Sequence, residues 1–274
     1  MPSLYVISTP IGNLEDITLR ALRILEQVDI VAAEDTRTTR KLLNHYHITT
    51  RLISYQEHNS ANRIPIILEA LINGDVAIVS DAGTPCISDP GLHLIRSAIS
   101  NGFNVIPIPG PSAVITALAA SGISSDNFLF IGFLPRRKIA RRHILKSLVS
   151  QVHTLVIFEA PHRLTAALKD LQEIFGTRHM AVMREATKFY EEVFRGNAAE
   201  CIDYFKSPRG EFTLVIEGNN DKHIFSIEEA TSLLNSLLEQ GISAKDARSK
   251  VSYDTGISKK SVYNLWLSIN SHQK

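Results

Sequence analysis

The stretch VSDAGTPCISDPG, Val79–Gly91, decides which fold the sequence predicts. Four apolar residues, Val76–Val79, run into it and indicate a buried strand. The loop that follows holds two carboxylates, Asp81 and Asp89, together with two glycines, two prolines and few side chains that pack. In open α/β sheets, ligands bind beyond the carboxyl ends of the strands. Such a sparse loop indicates a backbone that approaches a ligand, because glycine leaves room and proline fixes the loop shape in advance.

Short apolar runs alternate with amphipathic helical patterns on both sides of this loop. Leu4–Ser8, Phe128–Leu134 and Thr154–Ala160 are such runs, and the last two suit strands that are covered on both faces. Strands that alternate with helices predict an α/β protein with a mostly parallel sheet. A polar linker, Gly218–Lys222, ends this pattern.

Beyond the linker the sequence predicts a small helical appendage over 225–274. Two S-x-x-[DE] capping boxes mark helix starts, at Ser226 and Ser243. Two helices joined at Gly256 resemble a helix-turn-helix, a motif that touches nucleic acid near the start of its second helix. A helical pair that only stabilises the chain is the alternative. Four apolar residues share one face of the last helix: Val262, Leu265, Trp266 and Ile269.

The composition narrows the class of protein. The 274 residues are 44% hydrophobic and 21% charged, with a net charge of +1, so any nucleic-acid surface has to be a local patch. Cys86 and Cys201 are far apart in sequence, and no Cys/His cluster predicts a metal site or a disulfide framework. No apolar run is long enough to span a membrane and no signal peptide is apparent. We therefore expect a soluble cytoplasmic protein without a membrane partner.

Three further loops after predicted strands resemble the first in composition. They are Ser8–Asn13, Pro107–Ala113 and Glu159–Arg163, each with glycine or proline where packing would prefer leucine or valine. Any one of them is explained as a plain turn. Four together favour a shared pocket. The sequence has neither G-x-G-x-x-G after a strand nor G-x-x-x-x-G-K-[ST], which favours a nucleoside with an uncharged or zwitterionic arm.

Six motifs in order carry a resemblance to a known family: STPIGNLEDIT, AEDTR, SDAGTPCISDPG, PGPSA, FEAPHR and GEFTLVIEG. Over about Leu4–Gly218 the chain resembles the tetrapyrrole-methylase-fold methyltransferases, and within them the branch that modifies small-subunit ribosomal RNA. The resemblance implies a two-lobed α/β fold with a cofactor cleft between the lobes, 1–115 and 116–220, plus the helical tail. It also implies transfer of a methyl group from S-adenosylmethionine to the ribose 2′-hydroxyl of a cytidine.

The resemblance also implies which residues border the cofactor. They are Ile11, Gly12, Asp81, Ala82, Gly83, Thr84, Ile87, Ser112, Ala113, Glu159, Ala186 and Thr213. Thr84 and Glu159 depart from the tetrapyrrole enzymes, which have an Asp and often a Met there, and this argues against a porphyrin-like substrate. Asp81 has a second interpretation, because an Asp before a turn often only caps local amides.

Candidates for the chemistry are polar residues on loops that face the predicted pocket. A ribose hydroxyl is a weak nucleophile, so a base or a cation beside it would help. His162 is a candidate because histidine is the side chain that most often serves as a base near neutral pH, but a lone His is also a common structural residue. Arg163 is equally explained as a partner of Glu159. The candidates are Asp35, Arg37, His162, Arg163 and Lys188, and the reaction requires no metal.

RNA binding needs cations that meet phosphate. The segment Arg136–Lys146 carries six basic residues and no acid, and it follows a predicted strand end. A solvated helix face is the alternative explanation. The predicted RNA contacts are Arg136, Arg137, Lys138, Arg141, Arg142, Lys259 and Lys260.

Two rival functions stay open on the sequence. One is a methyltransferase that acts on a small molecule or a tetrapyrrole, and the basic helix argues against it. The other is an RNA-binding or assembly protein with a degenerate cofactor cleft. The predicted partner is ribosomal RNA or the small ribosomal subunit, and the resemblance implies a homodimer.

Overall fold

The chain divides into two compact units, Met1–Asn219 and Asn220–Lys274. The computed structural model describes residues 2–219 and 226–271. Residue 1, most of the predicted linker and the ends of the predicted appendage, 220–225 and 272–274, lie outside the described residues. Within the described ranges, no helix combines the length and the apolar composition that a membrane span requires.

The first sheet is entirely parallel and has the order β3-β2-β4-β1-β5. Its strands are β1 (Ser3–Ile7), β2 (Ile30–Ala33), β3 (Arg51–Ser54), β4 (Val76–Val79) and β5 (Asn104–Ile108). Its helices are α1 (Leu19–Gln27), α2 (Thr36–His45), α3 (Ser60–Asn73) and α4 (Leu92–Ser100). Both faces of the sheet are covered. In β4, Ala77 and Val79 pack with α1 and α2, whereas Val76 and Ile78 pack with α3 and α4, which is why the whole strand is apolar.

The second sheet has the order β6-β7-β10-β8-β9, and only its β6–β7 pair is parallel. Its strands are β6 (Phe128–Phe133), β7 (Thr154–Glu159), β8 (Met180–Arg184), β9 (Glu192–Gly196) and β10 (Phe212–Ile216). The predicted mostly parallel arrangement therefore holds for the first sheet and is wrong for the second. A seven-residue loop between β8 and β9 is too short for a parallel crossover, so these strands form a hairpin.

Helix α5 (Ala113–Ser121) links the two sheets. It follows β5 of the first sheet, and its residues Val114, Ala117 and Leu118 pack against one face of the second sheet. Three helices cover the other face of that sheet: α6 (Lys138–Ser147), α7 (Pro161–Phe175) and α8 (Ala198–Tyr204). The central strands of the second sheet are thus also buried on both sides, which explains the apolar run in β7. The prediction that β6 is covered on both faces is wrong, because β6 is an edge strand on which Phe128, Leu129 and Phe133 are exposed.

The second unit consists, over its described residues, of α9 (Ile227–Glu239), α10 (Ala244–Thr255) and α11 (Lys259–Ser271). The predicted capping box at Ser226 is confirmed, since its hydroxyl accepts from Glu229 N and the Glu229 carboxylate accepts from Ser226 N. Gly256 ends α10 in the left-handed conformation, at φ +69°. The predicted apolar face of the last helix packs into a small core with α9 and α10.

A buried ion pair joins α6 to α7. Arg141 is 5% exposed, and its guanidinium lies 2.6 Å from the carboxylate of Asp170. Arg142 reaches the same carboxylate at 2.9 Å and also pairs with Glu173. Burial alone would raise the pKa of Asp170, but the two arginines outweigh it and hold that pKa below its usual value. The predicted RNA contact at Arg141 is wrong, because its charge is used inside the fold, and Arg142 is largely engaged in the same way.

We expect Arg141→Ala to destabilise the chain by about 3 kcal/mol, because it leaves the buried Asp170 with only the peripheral partner Arg142. The measurement is urea denaturation followed by circular dichroism. Arg137→Ala, an exposed position beside the same helix, is the control and should change the free energy of unfolding by less than about 0.5 kcal/mol. Equal, small effects of both variants would show that the pair does not hold α6 to α7.

Candidate functional site

The loops that follow β1 and β4 are bonded to each other at the carboxyl edge of the first sheet. Thr9 N donates to Gly83 O at 2.9 Å, and Gly83 N donates to Thr9 O at 3.0 Å. The hydroxyls of Ser8 and Thr84 share a hydrogen bond of 2.8 Å. Gly83 has φ +78°, a conformation that favours glycine. Two of the four loops singled out in the sequence therefore form one continuous wall.

This wall borders a cavity of about 350 Å³ whose lining comes from both sheets. Ten of the twelve predicted cofactor residues line it: Ile11, Ala82, Gly83, Thr84, Ile87, Ser112, Ala113, Glu159, Ala186 and Thr213. The other two, Gly12 and Asp81, line a second cavity of about 450 Å³. Ile11 and Ala82 line both cavities, so the two spaces adjoin. The walls of the first cavity are mainly apolar, and small residues leave its backbone accessible.

Several apolar lining residues of the second sheet were not predicted, among them Phe158, Met183 and Phe212. Strand β10 runs antiparallel to β7, so Phe212 lies opposite Glu159 and the start of β10 meets the end of β7. Phe212 thereby reaches the first cavity, beside Phe158 and Met183 at the ends of β7 and β8, which run in the same direction. An antiparallel strand begins at the sheet edge where its neighbour ends. The amino-acid composition of a strand does not indicate in which direction it pairs.

The quoted loop is held in a strained shape. Cys86 and Ser88 adopt φ values of +72° and +68°, which non-glycine residues rarely occupy. A side chain at Gly91 would come within 2.6 Å of the Cys86 sulfur, so the turn closes only with glycine there. Such strain persists only where the surroundings enforce it, and it is common at ligand sites. The lack of packing residues in this loop is thus explained by its tight course along the cavity.

Asp89, at the end of the same loop, lines the first cavity and was not among the predicted site residues. Partial burial and the neighbouring charges of Glu34 and Asp81 raise the pKa of Asp89 to about 6, against the lowering effect of the Ser80 hydroxyl. Its carboxyl group therefore titrates close to neutral pH. Its place in the motif was visible in the sequence, but its exposure to the cavity depends on the loop's shape.

Glu159 lines the first cavity with its carboxylate fully buried. One carboxylate oxygen accepts from Ala160 N at 2.9 Å and lies 3.2 Å from Arg163 Nε. Burial raises the pKa of Glu159, and these contacts offset part of that rise. Arg163 also donates to the carbonyl of Leu134. Its guanidinium is engaged within the fold, which agrees with the pairing alternative and not with a catalytic role.

Asp35, Arg37 and His162 are among neither cavity's lining residues. Asp35 is the N-cap of α2, accepts from Arg37 N at 2.8 Å and pairs with the Arg37 guanidinium, which brings the pKa of Asp35 down to about 2. His162 is exposed on the first turn of α7. A helix cap holds Asp35 and Arg37, and His162 lies on an exposed turn, so their assignment to the chemistry stays a prediction. Asp81 accepts from Asp35 N at 3.0 Å, an amide on the loop after β2 and not one of its own turn.

Lys188, the fifth catalytic candidate, lines the second cavity. Its ammonium group lies 3.0 Å from Glu185 and 2.7 Å from Glu211. Desolvation lowers its pKa, but the two carboxylates outweigh this and raise it, so the side chain stays charged at neutral pH. A side chain at Gly12 would collide with Lys188 and Thr187, so the loop after β1 and the β8–β9 loop touch at this glycine.

The remaining predicted RNA contacts are exposed. Arg136, Arg137 and Lys138 lie where β6 gives way to α6, in the first unit. Lys259 and Lys260 are exposed on the first turn of α11, in the second unit. These five cations are open to solvent, whereas Arg141 and Arg142 face acids.

Comparison with known proteins agrees with this architecture. Residues 3–202 match the family of Tetrapyrrole (Corrin/Porphyrin) Methylases. Ribosomal RNA small subunit methyltransferase I of Halalkalibacterium halodurans is 45% identical, over 96% of this chain and 94% of that protein. The chain belongs to this methyltransferase I family, within the tetrapyrrole methylases. The relative of the same name in Thermotoga maritima is 50% identical over 80% of this chain and 99% of itself, so roughly a fifth of the present chain has no counterpart in it.

Solved structures share the fold at low sequence identity. Diphthine synthase has a TM-score of 0.63 at 14% identity, over 78% of this chain and 89% of that one. Uroporphyrin-III C-methyl transferase from Thermus thermophilus, complexed with S-adenyl homocysteine, has a TM-score of 0.56 at 16% identity, over 78% and 97%. The family's two-lobed methylase fold is therefore present in this chain.

We expect Asp89→Asn to stabilise the chain at pH 8 and not at pH 4. The folded-state pKa lies above the unfolded value, so the wild type loses stability as the pH rises through about 6, and the neutral amide avoids this loss. After allowance for solvent screening, the gain at pH 8 is about 1 kcal/mol, or roughly 2–4 °C in Tm.

Thermal unfolding of both proteins at the two pH values measures this difference. Asp203→Asn, at an exposed position of α8, is the matched control and should show no such dependence. A Tm difference for Asp89→Asn that stays the same from pH 4 to pH 8 would contradict the environment described for Asp89.

Proposed function

We propose that this chain transfers the methyl group of S-adenosylmethionine to the ribose 2′-hydroxyl of a cytidine in small-subunit (16S) ribosomal RNA. The observation that carries the proposal is the first cavity. Residues from both sheets meet there in the pattern expected of a cofactor cleft, in a chain whose near-full-length relatives are named as ribosomal RNA methyltransferases.

The first cavity fits the proposed cofactor in size and chemistry. Its volume of about 350 Å³ falls at the lower end of the range for small-molecule sites, and its walls are mainly apolar. Backbone near Gly83 can meet a nucleoside edge, while Phe158, Met183 and Phe212 supply apolar contacts. The ten predicted residues that line this cavity would hold the cofactor, with Gly12 and Asp81 at the adjoining second cavity.

Bound there, S-adenosylmethionine supplies an electrophilic methyl group on a sulfonium. The protein's own task is to orient a ribose hydroxyl in line with that methyl and to exclude water. Positioning of this kind lowers barriers by as much as about 7–11 kcal/mol in well-oriented model reactions. The paired loops around Thr9 and Gly83 hold one wall of the cleft rigidly enough for such alignment.

Asp89 is the side chain that we propose as acceptor of the hydroxyl proton. The three carboxylates that line the first cavity are Asp89, Glu159 and Glu211. Glu159 is committed to Ala160 and Arg163, and Glu211 to Lys188. Within residues 2–219 and 226–271, no cation forms an ion pair with Asp89, and a pKa of about 6 leaves it ionised but basic at neutral pH.

RNA would be held by Arg136, Arg137 and Lys138, and by Lys259 and Lys260 of the second unit. Exposed cations release counterions when they meet phosphates, and this makes binding dependent on salt. The proposed substrate also implies an enzyme that works in the cytoplasm. We propose a homodimer as the working form, on the family resemblance.

We expect Ala113→Leu to weaken binding of S-adenosylmethionine at least tenfold, because a larger side chain at the start of α5 fills part of a cavity of about 350 Å³. Isothermal titration calorimetry with the cofactor alone measures this. Ala119→Leu, at an exposed position of the same helix, is the matched control and should bind as the wild type does. Unchanged affinity in Ala113→Leu would place the cofactor elsewhere.

We expect the purified protein to transfer label from radioactive S-adenosylmethionine to small ribosomal subunits from a strain that lacks this protein. Naked subunit RNA is assayed in parallel, and nucleoside digestion shows whether the label is on a cytidine ribose. Asp89→Asn should lower kcat by about a hundredfold or more. Wild-type kcat should rise with pH up to about 6 and then level off, since the proposed base acts in its ionised form.

No label on either RNA, from a preparation that binds the cofactor, would contradict the ribosomal substrate and favour a small molecule or tetrapyrrole. RNA binding without cofactor binding would favour an assembly protein instead. Label on cytidine ribose with an unaffected Asp89→Asn variant would support the reaction and remove Asp89 from it.

A further inference from the structure

Two aromatic side chains stand in solvent at the tip of the β8–β9 loop, 185–191. Phe189 is 93% exposed and Tyr190 is 67% exposed. Their rings contact each other edge to face, with centroids 5.0 Å apart. Single exposed apolar residues are ordinary, but two touching rings on one loop tip form a defined surface.

Ion pairs and a hydrogen bond hold the loop that carries these rings. Lys188 is tied to Glu185 and to Glu211, and Thr187 Oγ1 accepts from Asn13 N at 3.0 Å. Glu185 and Thr187 adopt φ values of +50° and +65°. Strained backbone that is held by two ion pairs and a hydrogen bond indicates that the surrounding residues enforce the shape of this loop. The backbone that carries the two rings is therefore held in a defined position.

The loop that carries the two rings borders both cavities of the proposed reaction site. Ala186 lines the first cavity and Lys188 lines the second, so Phe189 and Tyr190 follow directly after residues of both. A nucleotide whose ribose enters this cleft has its own base and its neighbours close to the cleft's rim. Sequence-specific RNA recognition commonly targets unpaired bases, which stack on aromatic side chains.

We propose that Phe189 and Tyr190 form a stacking platform for an unpaired base of the RNA substrate, next to the target ribose. This inference rests on the proposed function and adds how the nucleotide is held. An edge-to-face pair leaves ring faces open, as a planar base requires. One stacked base changes affinity by about tenfold or more.

A second copy of this chain is the other candidate occupant, and the size of the surface argues against it. Two aromatic side chains bury roughly 300–500 Å² at most. A stable protein interface buries about 800 Å² on each partner. The rings alone are too small for that purpose but match the area of one or two bases.

The test compares Phe189→Ala/Tyr190→Ala with the wild type, with Phe189→Trp/Tyr190→Phe as the conservative variant. Leu19→Ala, which removes an equally exposed apolar side chain from α1, is the control. The first readout is steady-state methylation of small ribosomal subunits. We expect the double alanine variant to raise KM for subunits about tenfold, with unchanged affinity for S-adenosylmethionine.

The second readout does not depend on methylation. A single-stranded RNA oligonucleotide that contains pyrrolocytosine is quenched when the fluorescent base stacks. Quenching by the wild type and the conservative variant, lost in the double alanine variant, would support the platform. It would do so even if the subunits were not methylated, in which case only the proposed function fails.

Three results would overturn the inference. The first is a double alanine variant that keeps both the wild-type KM and the quenching. The second is a wild type that does not quench the oligonucleotide at all. The third is a change of mass in multi-angle light scattering, from dimer to monomer, for the double alanine variant alone. That change would assign the rings to a contact between copies.

Discussion

Two backbone hydrogen bonds between Thr9 and Gly83 hold the loops after β1 and β4 together, and the cavity depends on this closure. The bonds lie at the carboxyl edge of the parallel sheet, where the adjoining strands end side by side. They require φ +78° at residue 83, which accounts for a glycine there. Together with the hydroxyl bond between Ser8 and Thr84, they fix the loop 79–91 against the loop after β1 and support its strained turn at Cys86 and Ser88.

The second lobe completes what these loops begin. Its mixed sheet brings the end of β7 and the start of β10 to one edge, so apolar rings and the buried Glu159 close the cavity from the opposite side. Most polar groups around the site are already paired, which fixes its geometry. Asp89 differs, since its carboxylate faces the cavity with acids as neighbours. The electrostatic character of the site therefore resides in a loop that is otherwise built from small residues.

Local pattern in the sequence was enough for the first sheet and for much of the cleft. Apolar runs predicted the strands, and the glycines and prolines of four loops predicted a shared pocket, whereas the residues that border the cofactor were implied by the family resemblance. Pairing direction in the second sheet was not predictable, since β9 and β10 look the same whether they run parallel or antiparallel, and so Phe212 at the start of β10 was missed. The predicted RNA contact at Arg141 was also wrong. Arg141 belongs to a run of cations on α6, but its own side chain faces inward and pairs with Asp170. Which face of a helix is buried depends on a partner distant in sequence.

The chain crosses from the first sheet to the second once, through α5. All five strands of the first sheet are therefore complete by residue 108, before any strand of the second begins. During synthesis, the first lobe can fold while the second is still being made, since every strand pairing it needs is within its own segment. The cleft exists only after the second lobe has docked. A ligand that binds there recognises only the two lobes together, and it stabilises their docking by mass action.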